Sequence, residues 1–202
     1  MQHLRLILLV GAALVCSIGY ALFPDGVLSI DTRTLLFFRE LHSTLFVSVF
    51  GFFTLLGSWQ GVLVVLGLVG IFVWLRKLNL FYYYVLGGLV LGSGGVVYTI
   101  KHLVERARPL AMPTFFVETS FSFPSGHTAI AVVLYGFLWY WFAREKLLTN
   151  SLRILLIFLI VCISFSRIYL GVHYVSDVVG GLLLGLGLLE LCTYFIDKRR
   201  RV

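Results

Sequence analysis

The feature of this sequence that most constrains its fold is a series of apolar segments, each with the length of a membrane-spanning helix. A helix needs about 20 mostly apolar residues to cross a bilayer. The segments are apolar all the way round, so they could not face water on one side as helices of soluble proteins do. The sequence therefore predicts an all-α, polytopic membrane protein with six transmembrane helices, at residues 4–23, 58–75, 80–103, 125–142, 152–169 and 174–196.

Composition agrees with this prediction. Of the 202 residues, 60% are apolar and 12% are charged, with a mean hydropathy of +1.01, whereas soluble domains carry about 45–50% apolar and about 25% charged residues. We expect one membrane-embedded domain over residues 1–202. A further apolar stretch at 45–56 is either a re-entrant or interfacial helix or the early part of a long tilted second span. The first segment lacks a small-x-small cleavage site, so we expect it to be retained as a span.

The net charge of +7 does not indicate a nucleic-acid partner, because the final basic run, from Lys198 to Arg201, directly follows an apolar segment. That arrangement is typical of a cytoplasmic membrane anchor. The three cysteines lie within apolar runs and lack the spacing of a disulfide framework or a zinc site. We interpret them as packing residues: Cys16, Cys162 and Cys192.

The distribution of Lys and Arg predicts the orientation of the chain. One side of the predicted topology collects ten of the sixteen basic residues: Arg5, Arg76, Lys77, Arg144, Lys146, Arg153 and the run from Lys198 to Arg201. The other side holds the remaining six: Arg33, Arg39, Lys101, Arg106, Arg108 and Arg167. Because cytoplasmic loops are richer in Lys and Arg, both termini are predicted to be cytoplasmic and the second group to lie outside.

Three motifs fall at the outer ends of predicted spans three to six. The first runs from Lys101 to Arg108-Pro109, the second is Pro124-Ser125-Gly126-His127, and the third is Ser166-Arg167 followed by His173 and Asp177. The predicted topology brings all three to the same membrane surface, although they are far apart in sequence. Three ionisable groups in the last motif alone require a functional reason in so apolar a chain.

These residue types suit phosphoryl transfer, whose transition state spreads negative charge over three equatorial oxygens. Lys101, Arg108 and Arg167 supply fixed cations, and arginine can bind phosphate with two hydrogen bonds. Pro124 and Ser125 predict the start of a helix, with Ser125 as N-cap rather than nucleophile. The N–H groups of such a helix start bind anions, and Gly126 would let a phosphate approach the backbone.

The two histidines are candidates for the chemistry itself. His173 and Asp177 are four residues apart and share a helix face if span six begins near His173. The carboxylate would accept the Nδ1–H of the imidazole and leave Nε2 as a nucleophile or a base. His127 remains as a candidate general acid for the leaving group.

The three motifs together resemble the type 2 phosphatidic acid phosphatase (PAP2) family, over roughly residues 80–196. In that family the pattern is Lys-x6-Arg-Pro, Pro-Ser-Gly-His and Ser-Arg-x5-His-x3-Asp, and all three parts are complete here. The resemblance implies that His173 attacks phosphorus and forms a phosphohistidine, that Asp177 supports it, and that His127 protonates the leaving group. It also implies that no metal ion or other cofactor is needed and that five residues hold the phosphate: Lys101, Arg108, Ser125, Gly126 and Arg167.

The six-span layout resembles the bacterial membrane branch of that family, which contains phosphatidylglycerophosphate phosphatase B and undecaprenyl pyrophosphate phosphatases. The expected substrates are therefore undecaprenyl pyrophosphate and phosphatidylglycerol phosphate, hydrolysed at the extracytoplasmic face of the cell membrane. Two alternatives stay open: a broad phosphatase for phosphatidic acid and diacylglycerol pyrophosphate, and a non-catalytic protein that binds or transports lipid phosphates.

Two further features carry weaker expectations. Glu118 lies among cations in the loop 110–123 and either pairs with Arg106 or has no specific partner. The glycine pairs Gly88/Gly92 and Gly181/Gly185 have the spacing that permits close helix contact. This spacing either draws predicted spans three and six together or reflects only how common glycine is in membrane helices.

Overall fold

A computed structural model describes residues 24–41, 43–109 and 118–199, and in these ranges the chain is all α-helical, without strands. The helices are α1 (Pro24–Glu40), α2 (Thr44–Gly57), α3 (Trp59–Leu75), α4 (Leu80–Val104), α5 (Gly126–Arg144), α6 (Asn150–Tyr169) and α7 (Val175–Arg199). Predicted spans two to six correspond to α3 to α7, with ends that agree within three residues. The first predicted span, 4–23, lies outside the described residues.

Local polar residues determine where several helices begin. Ser43, Asn79 and Thr149 each accept a hydrogen bond from a backbone N–H of the first turn of α2, α4 and α6, respectively. Such caps satisfy donors that the helix itself leaves unpaired. At the other end of α4, Glu105 adopts the left-handed conformation with φ of 50° and ends the helix.

Helices α4, α5, α6 and α7 are each long and apolar enough to cross a membrane. Helix α5 is central, packs against α4, α6 and α7, and is buried along most of its length. Its neighbours instead expose large apolar side chains outward, among them Leu91 of α4 and Ile154 of α6. Exposed apolar surface on this scale is stable in lipid and not in water.

The open question about residues 45–56 concerns α2 and α3, which the structure shows as two helices bent by 62° around Ser58. The start of α2 lies at the end of α6, where the Ser43 N–H donates to the Tyr169 hydroxyl. Helix α3 ends at Leu75, shortly before α4 begins at Leu80, and the Tyr83 hydroxyl near the start of α4 donates to the Leu66 carbonyl in the middle of α3. Together the two helices run from one end of the bundle to the other, and counting them as one span gives up to five candidate spans.

Helix α1 was not anticipated from the sequence. It packs against α6 and α7 at the end of the bundle where α4 and α6 end and where α5 and α7 begin. Phe38 of α1 contacts Phe165 and Tyr169 of α6 edge to face. We call this the site end of the bundle, because the three sequence motifs meet there.

The glycine spacing gives close contact, but between helices other than the pair expected. A Cβ at Gly181 would lie 2.6 Å from the Ser125 carbonyl oxygen, and one at Gly185 would lie 2.8 Å from that of Ala129. These glycines therefore let α7 approach α5. At Gly88 and Gly92 a Cβ would meet no described atom within 4 Å, so the alternative in which these two glycine pairs draw predicted spans three and six together is wrong.

Candidate active site

The centre of the candidate site is a hydrogen-bonded pair formed by His173 and Asp177. His173 lies in the turn between α6 and α7, just before α7 begins, so the pair spans the helix start rather than one helix face. Its Nδ1 is 3.3 Å from Asp177 Oδ2, and both side chains are buried. The Ser122 hydroxyl and the Tyr174 N–H also donate to the same carboxylate oxygen, at 2.5 and 2.9 Å. Asp177 is thereby held in one orientation.

The electrostatic surroundings keep His173 neutral. Burial lowers the pKa of His173 to about 3, an effect that the Asp177 carboxylate opposes and the positive charges of Arg167 and Arg108 reinforce. Nη1 of Arg108 lies 3.2 Å from His173 Nε2. With Nδ1–H directed to Asp177, Nε2 carries the lone pair and accepts from Arg108. A neutral imidazole with this tautomer has the form that a nitrogen nucleophile requires.

Arg108 is fixed by several other contacts. Its Nε donates to the Ser120 carbonyl at 2.6 Å, and Nη1 also donates to the Val172 carbonyl at 2.8 Å. Burial lowers the pKa of Arg108, while the carboxylates of Glu118 and Asp177 oppose that shift. The guanidinium is therefore a preorganised cation directly beside His173.

Lys101 belongs to the last turn of α4 and is buried. Its ammonium donates to the carbonyl oxygens of Phe121 and Ser122, the second at 3.4 Å. Since Ser122 also donates to Asp177, Lys101 orders the segment that leads into α5.

The start of α5 carries the second motif. Ser125 occupies the predicted N-cap position of α5, but its side chain makes no capping hydrogen bond. The hydroxyl accepts from Thr128 Oγ1 at 3.0 Å, and the Ser125 N–H donates to the Asp177 carbonyl at 3.0 Å. The side chain of Ser125 thus leaves the first N–H groups of α5 available to an anion.

A cavity of about 470 Å³ brings the motifs together. Five of the eight predicted site residues line it: Lys101, Arg108, Gly126, His127 and His173. The remaining three are fully buried beside it: Ser125, Arg167 and Asp177. The cavity also extends along α4 past Gly94, Gly95 and Tyr98 to Trp59 at the start of α3.

Glu118 contacts two of the predicted phosphate-binding arginines and not Arg106, so both alternatives given for it, a pairing with Arg106 and the absence of a specific partner, are wrong. Its carboxylate accepts from Arg167 Nη2, and its other oxygen lies 3.6 Å from Arg108 Nη2. Burial raises the pKa of Glu118, but the charges of Arg167 and Arg108 outweigh this and lower it overall. Glu118 is therefore an anion, and it occupies part of the cationic surface that a phosphate would need.

Sequence reasoning missed four contributors to this site. Thr54 of α2 accepts a hydrogen bond from Arg167, and Ser122 donates to Asp177. Arg106 forms ion pairs with Asp177 at 2.5 Å and with Asp31 of α1 at 2.6 Å. Arg106 stands within the first motif, where its charge was a usable signal. Asp31 and Thr54 depend on contacts between distant segments, which a single sequence does not reveal.

Within residues 24–41, 43–109 and 118–199, no group of three or more His, Cys, Asp or Glu side chains is arranged to hold a metal ion. The cationic charge around the cavity comes from Lys101, Arg108 and Arg167.

A helical bundle with several apolar helices and a buried histidine–aspartate pair beside a cationic cavity defines the class: a multi-pass membrane protein with a site suited to a phosphate group. The PAP2 superfamily model matches residues 76–201. That match covers more than half of the chain, and the protein belongs to the PAP2 superfamily.

Three comparisons place the chain within this superfamily. It is 39% identical to the phosphatidylglycerophosphatase B of Bacillus subtilis strain 168 over an alignment of 106 residues. This alignment covers 50% of this chain and 52% of that protein. It is 34% identical over 96 residues to the undecaprenyl-diphosphatase of Sulfolobus acidocaldarius, which covers 42% of this chain and 41% of that protein. The alignments thus span about half or less of these curated relatives.

The third comparison is with a solved structure, a transmembrane PAP2-type phosphatidylglycerolphosphate phosphatase from Bacillus subtilis. The TM-score is 0.84 at 26% identity, and the match covers 96% of both chains. The bundle described above is therefore shared with an experimentally determined membrane phosphatase.

Proposed function

We propose that this protein is a membrane lipid phosphatase that removes the terminal phosphate of a lipid phosphate or pyrophosphate through a phosphohistidine intermediate. The observation that carries the proposal is the cavity in which His173 Nε2 meets Arg108, with His127 and Lys101 in the same lining. A nucleophile, a proton donor and phosphate-binding cations are thus within reach of one bound group.

In the proposed first step, the Nε2 lone pair of His173 attacks phosphorus and the bond from phosphorus to the leaving oxygen breaks. Before this attack, Arg108 shifts its hydrogen bond from Nε2 to a phosphate oxygen, which frees the Nε2 lone pair. Asp177 stabilises the positive charge that develops on the imidazole, and His127 gives its proton to the leaving oxygen. In the second step water attacks the phosphohistidine, His127 accepts a proton from that water, and inorganic phosphate leaves with His173 restored.

For the remaining cations, the proposal assigns phosphate binding to Lys101, Arg108 and Arg167, together with the helix start at Ser125 and Gly126. Their fixed charges would stabilise the equatorial oxygens in the transition state. No metal ion or other cofactor is part of this mechanism.

The proposed substrates are undecaprenyl pyrophosphate and phosphatidylglycerol phosphate. The similarity to a phosphatidylglycerophosphatase and to an undecaprenyl-diphosphatase supports this choice. The apolar extension of the cavity along α4, toward Tyr98 and Trp59, suits a substrate with a hydrocarbon chain. A broader phosphatase acting on phosphatidic acid and diacylglycerol pyrophosphate is the second candidate, favoured by the same open extension.

For topology we propose one membrane-embedded domain over residues 1–202, with six spans, both termini in the cytoplasm and the site facing outside the cell membrane. The ten-to-six distribution of basic residues supports this orientation. The lipid substrate would then reach the cavity from the outer leaflet, and inorganic phosphate would be released outside.

The test is phosphate release by the purified protein in detergent across a panel of these four lipids, with and without EDTA. The proposal expects turnover of at least one lipid pyrophosphate or phosphatidylglycerol phosphate that EDTA does not abolish. Tight binding of these lipids without phosphate release would instead support a non-catalytic lipid-phosphate protein. An absolute magnesium requirement would contradict the mechanism.

A further inference from the structure

Arg106 joins the His173–Asp177 pair to a helix outside the sequence motifs. Its Nη1 donates to Asp177 Oδ1 at 2.5 Å, and its Nη2 donates to Asp31 Oδ2 of α1 at 2.6 Å. The Arg106 guanidinium also stacks over the Tyr174 ring, 4.1 Å from its centroid. All three charged side chains are 1% exposed or less, so the contacts are shielded from solvent. A continuous chain of contacts thus leads from α1 to His173.

The charges in this chain are unequal, because two carboxylates share one guanidinium. If Arg106 contacted Asp177 alone, the ion pair would be neutral and Asp177 would attract the imidazole Nδ1–H less strongly. Because Asp31 binds the same guanidinium, the group formed by Asp31, Arg106 and Asp177 has a net negative charge next to His173. Such a charge stabilises the positive imidazole that forms when Nε2 attacks phosphorus.

Asp31 also holds the first turn of α7, on which Asp177 stands. Its Oδ1 accepts from the Ser176 N–H at 3.1 Å, and its Oδ2 accepts from the Ser176 hydroxyl at 2.6 Å. A carboxylate at a helix start satisfies an unpaired N–H group and interacts favourably with the helix dipole. Here the capping group comes from another helix, 145 residues away in sequence. The position of Asp177 therefore depends on α1.

We propose that Asp31 and Arg106 are positioning residues for the Asp177–His173 pair, through which α1 tunes the reactivity of the His173 nucleophile. This inference rests on the proposed function, since it concerns the rate of that reaction. Neither residue is among those that line the cavity, so both act through Asp177 and not through contact with substrate.

The test compares Asp31→Asn with the wild type in kcat and KM for whichever lipid the wild type hydrolyses. Asparagine keeps the shape of the side chain but removes the charge shared by Arg106. We expect kcat to fall about 10-fold to 100-fold, the scale seen when a group supporting a reactive residue is lost, with KM changed less than about twofold. Glu40→Gln, the matched control, removes an exposed carboxylate from the last residue of α1 and should leave both constants unchanged.

A double-mutant cycle separates positioning from a general loss of structure. In an Asp177→Asn background, Asp31→Asn should change the residual rate less than about twofold, because its effect passes through the missing carboxylate. A full multiplicative loss in that background would overturn the proposal, as would an unchanged kcat in Asp31→Asn alone. Rates are expressed per folded protein, judged by thermal unfolding in detergent.

If Asp31→Asn does not fold, Ser176→Ala provides the second variant. It leaves both ion pairs in place and removes the two hydrogen bonds of the Ser176 hydroxyl, the one that it donates to Asp31 and the one that it accepts from Arg106 Nη1 at 2.7 Å. We expect kcat to fall about twofold to fivefold with KM unchanged, and an unchanged kcat would count against the proposal. An inactive wild-type protein would contradict the proposed function instead, so the two failures are distinguishable.

Discussion

At the residue scale, His173 and His127 line the same cavity, but among the residues that the structure describes only His173 is paired with a carboxylate. This difference is the basis for dividing nucleophile and acid between them. His173→Ala removes the attacking nitrogen, so turnover should fall to background on every substrate.

His127→Ala removes only the proton donor, which typically costs about 10²–10⁴-fold. A pyrophosphate releases a better leaving group than a monoester, so the His127 variant should keep relatively more activity on undecaprenyl pyrophosphate than on phosphatidylglycerol phosphate.

Acid-quench trapping with radiolabelled phosphate checks the assignment independently of turnover. Labelled protein is expected with the His127 variant and not with the His173 variant. The reverse pattern, label on the His173 variant alone, would show that the two roles are interchanged.

Glu118 leads to a second prediction, because its carboxylate holds Arg167 and lies near Arg108. An incoming phosphate must compete with that carboxylate for both guanidinium groups. Glu118→Gln removes the competing charge, so inhibition by vanadate, which resembles the phosphoryl transition state, should strengthen about threefold to 30-fold, corresponding to roughly 0.7–2 kcal/mol. The measurement is the vanadate inhibition constant, with Glu105→Gln, an exposed carboxylate at the end of α4, as the matched control.

The opposite result would have a clear physical meaning. If Glu118 mainly keeps the two arginines in place, its loss would disorder them and vanadate inhibition would weaken. That outcome would contradict the competition argument and identify Glu118 as a support of the phosphate site.

At the element scale, the packing of α7 against α5 gives a third prediction. The backbone of α5 leaves no room for a Cβ at Gly181, 2.6 Å from the Ser125 carbonyl oxygen, whereas at Gly92 a Cβ meets no described atom. Gly181→Ala should therefore force the helices apart and lower the stability by about 1–3 kcal/mol. Because Asp177 and Ser125 lie on these two helices, activity should fall as well. Thermal unfolding and phosphate release check both effects, and Gly92→Ala should change neither; equal effects of the two substitutions would contradict the argument.

The same scale shows what a single sequence can predict. Helices α3 to α7 are long and apolar, so their positions follow from hydropathy alone. Helix α1 combines apolar residues with five charged residues, Asp25, Asp31, Arg33, Arg39 and Glu40, and no apolar run distinguishes it. The motif residues were identified because charges are rare in so apolar a chain. Their partners Asp31 and Thr54 could not be identified, because 75 and 113 residues separate them from Arg106 and Arg167.

At the scale of the whole molecule, the two ends of the bundle differ in how their basic side chains are placed. At the site end Arg106, Arg108 and Arg167 are held by buried partners within the site, and the exposed basic residues there are Arg33 and Arg39 of α1. At the opposite end, Arg76, Lys77, Lys146 and Lys198 are exposed. Exposed Lys and Arg are the residues that the positive-inside rule counts. The exposed charge therefore favours a cytoplasmic location for the end opposite the site.

Cysteine labelling in intact cells tests this orientation. With the native cysteines Cys16, Cys162 and Cys192 replaced, a single cysteine is placed at Thr119, exposed near the cavity, or at Asn150, exposed at the start of α6. Neither substitution changes the charge that sets topology. An impermeant thiol reagent should label Thr119→Cys in intact cells and Asn150→Cys only after the cells are opened, because the bilayer separates the two ends. Labelling of Asn150→Cys alone in intact cells would reverse the topology and place hydrolysis on the cytoplasmic face.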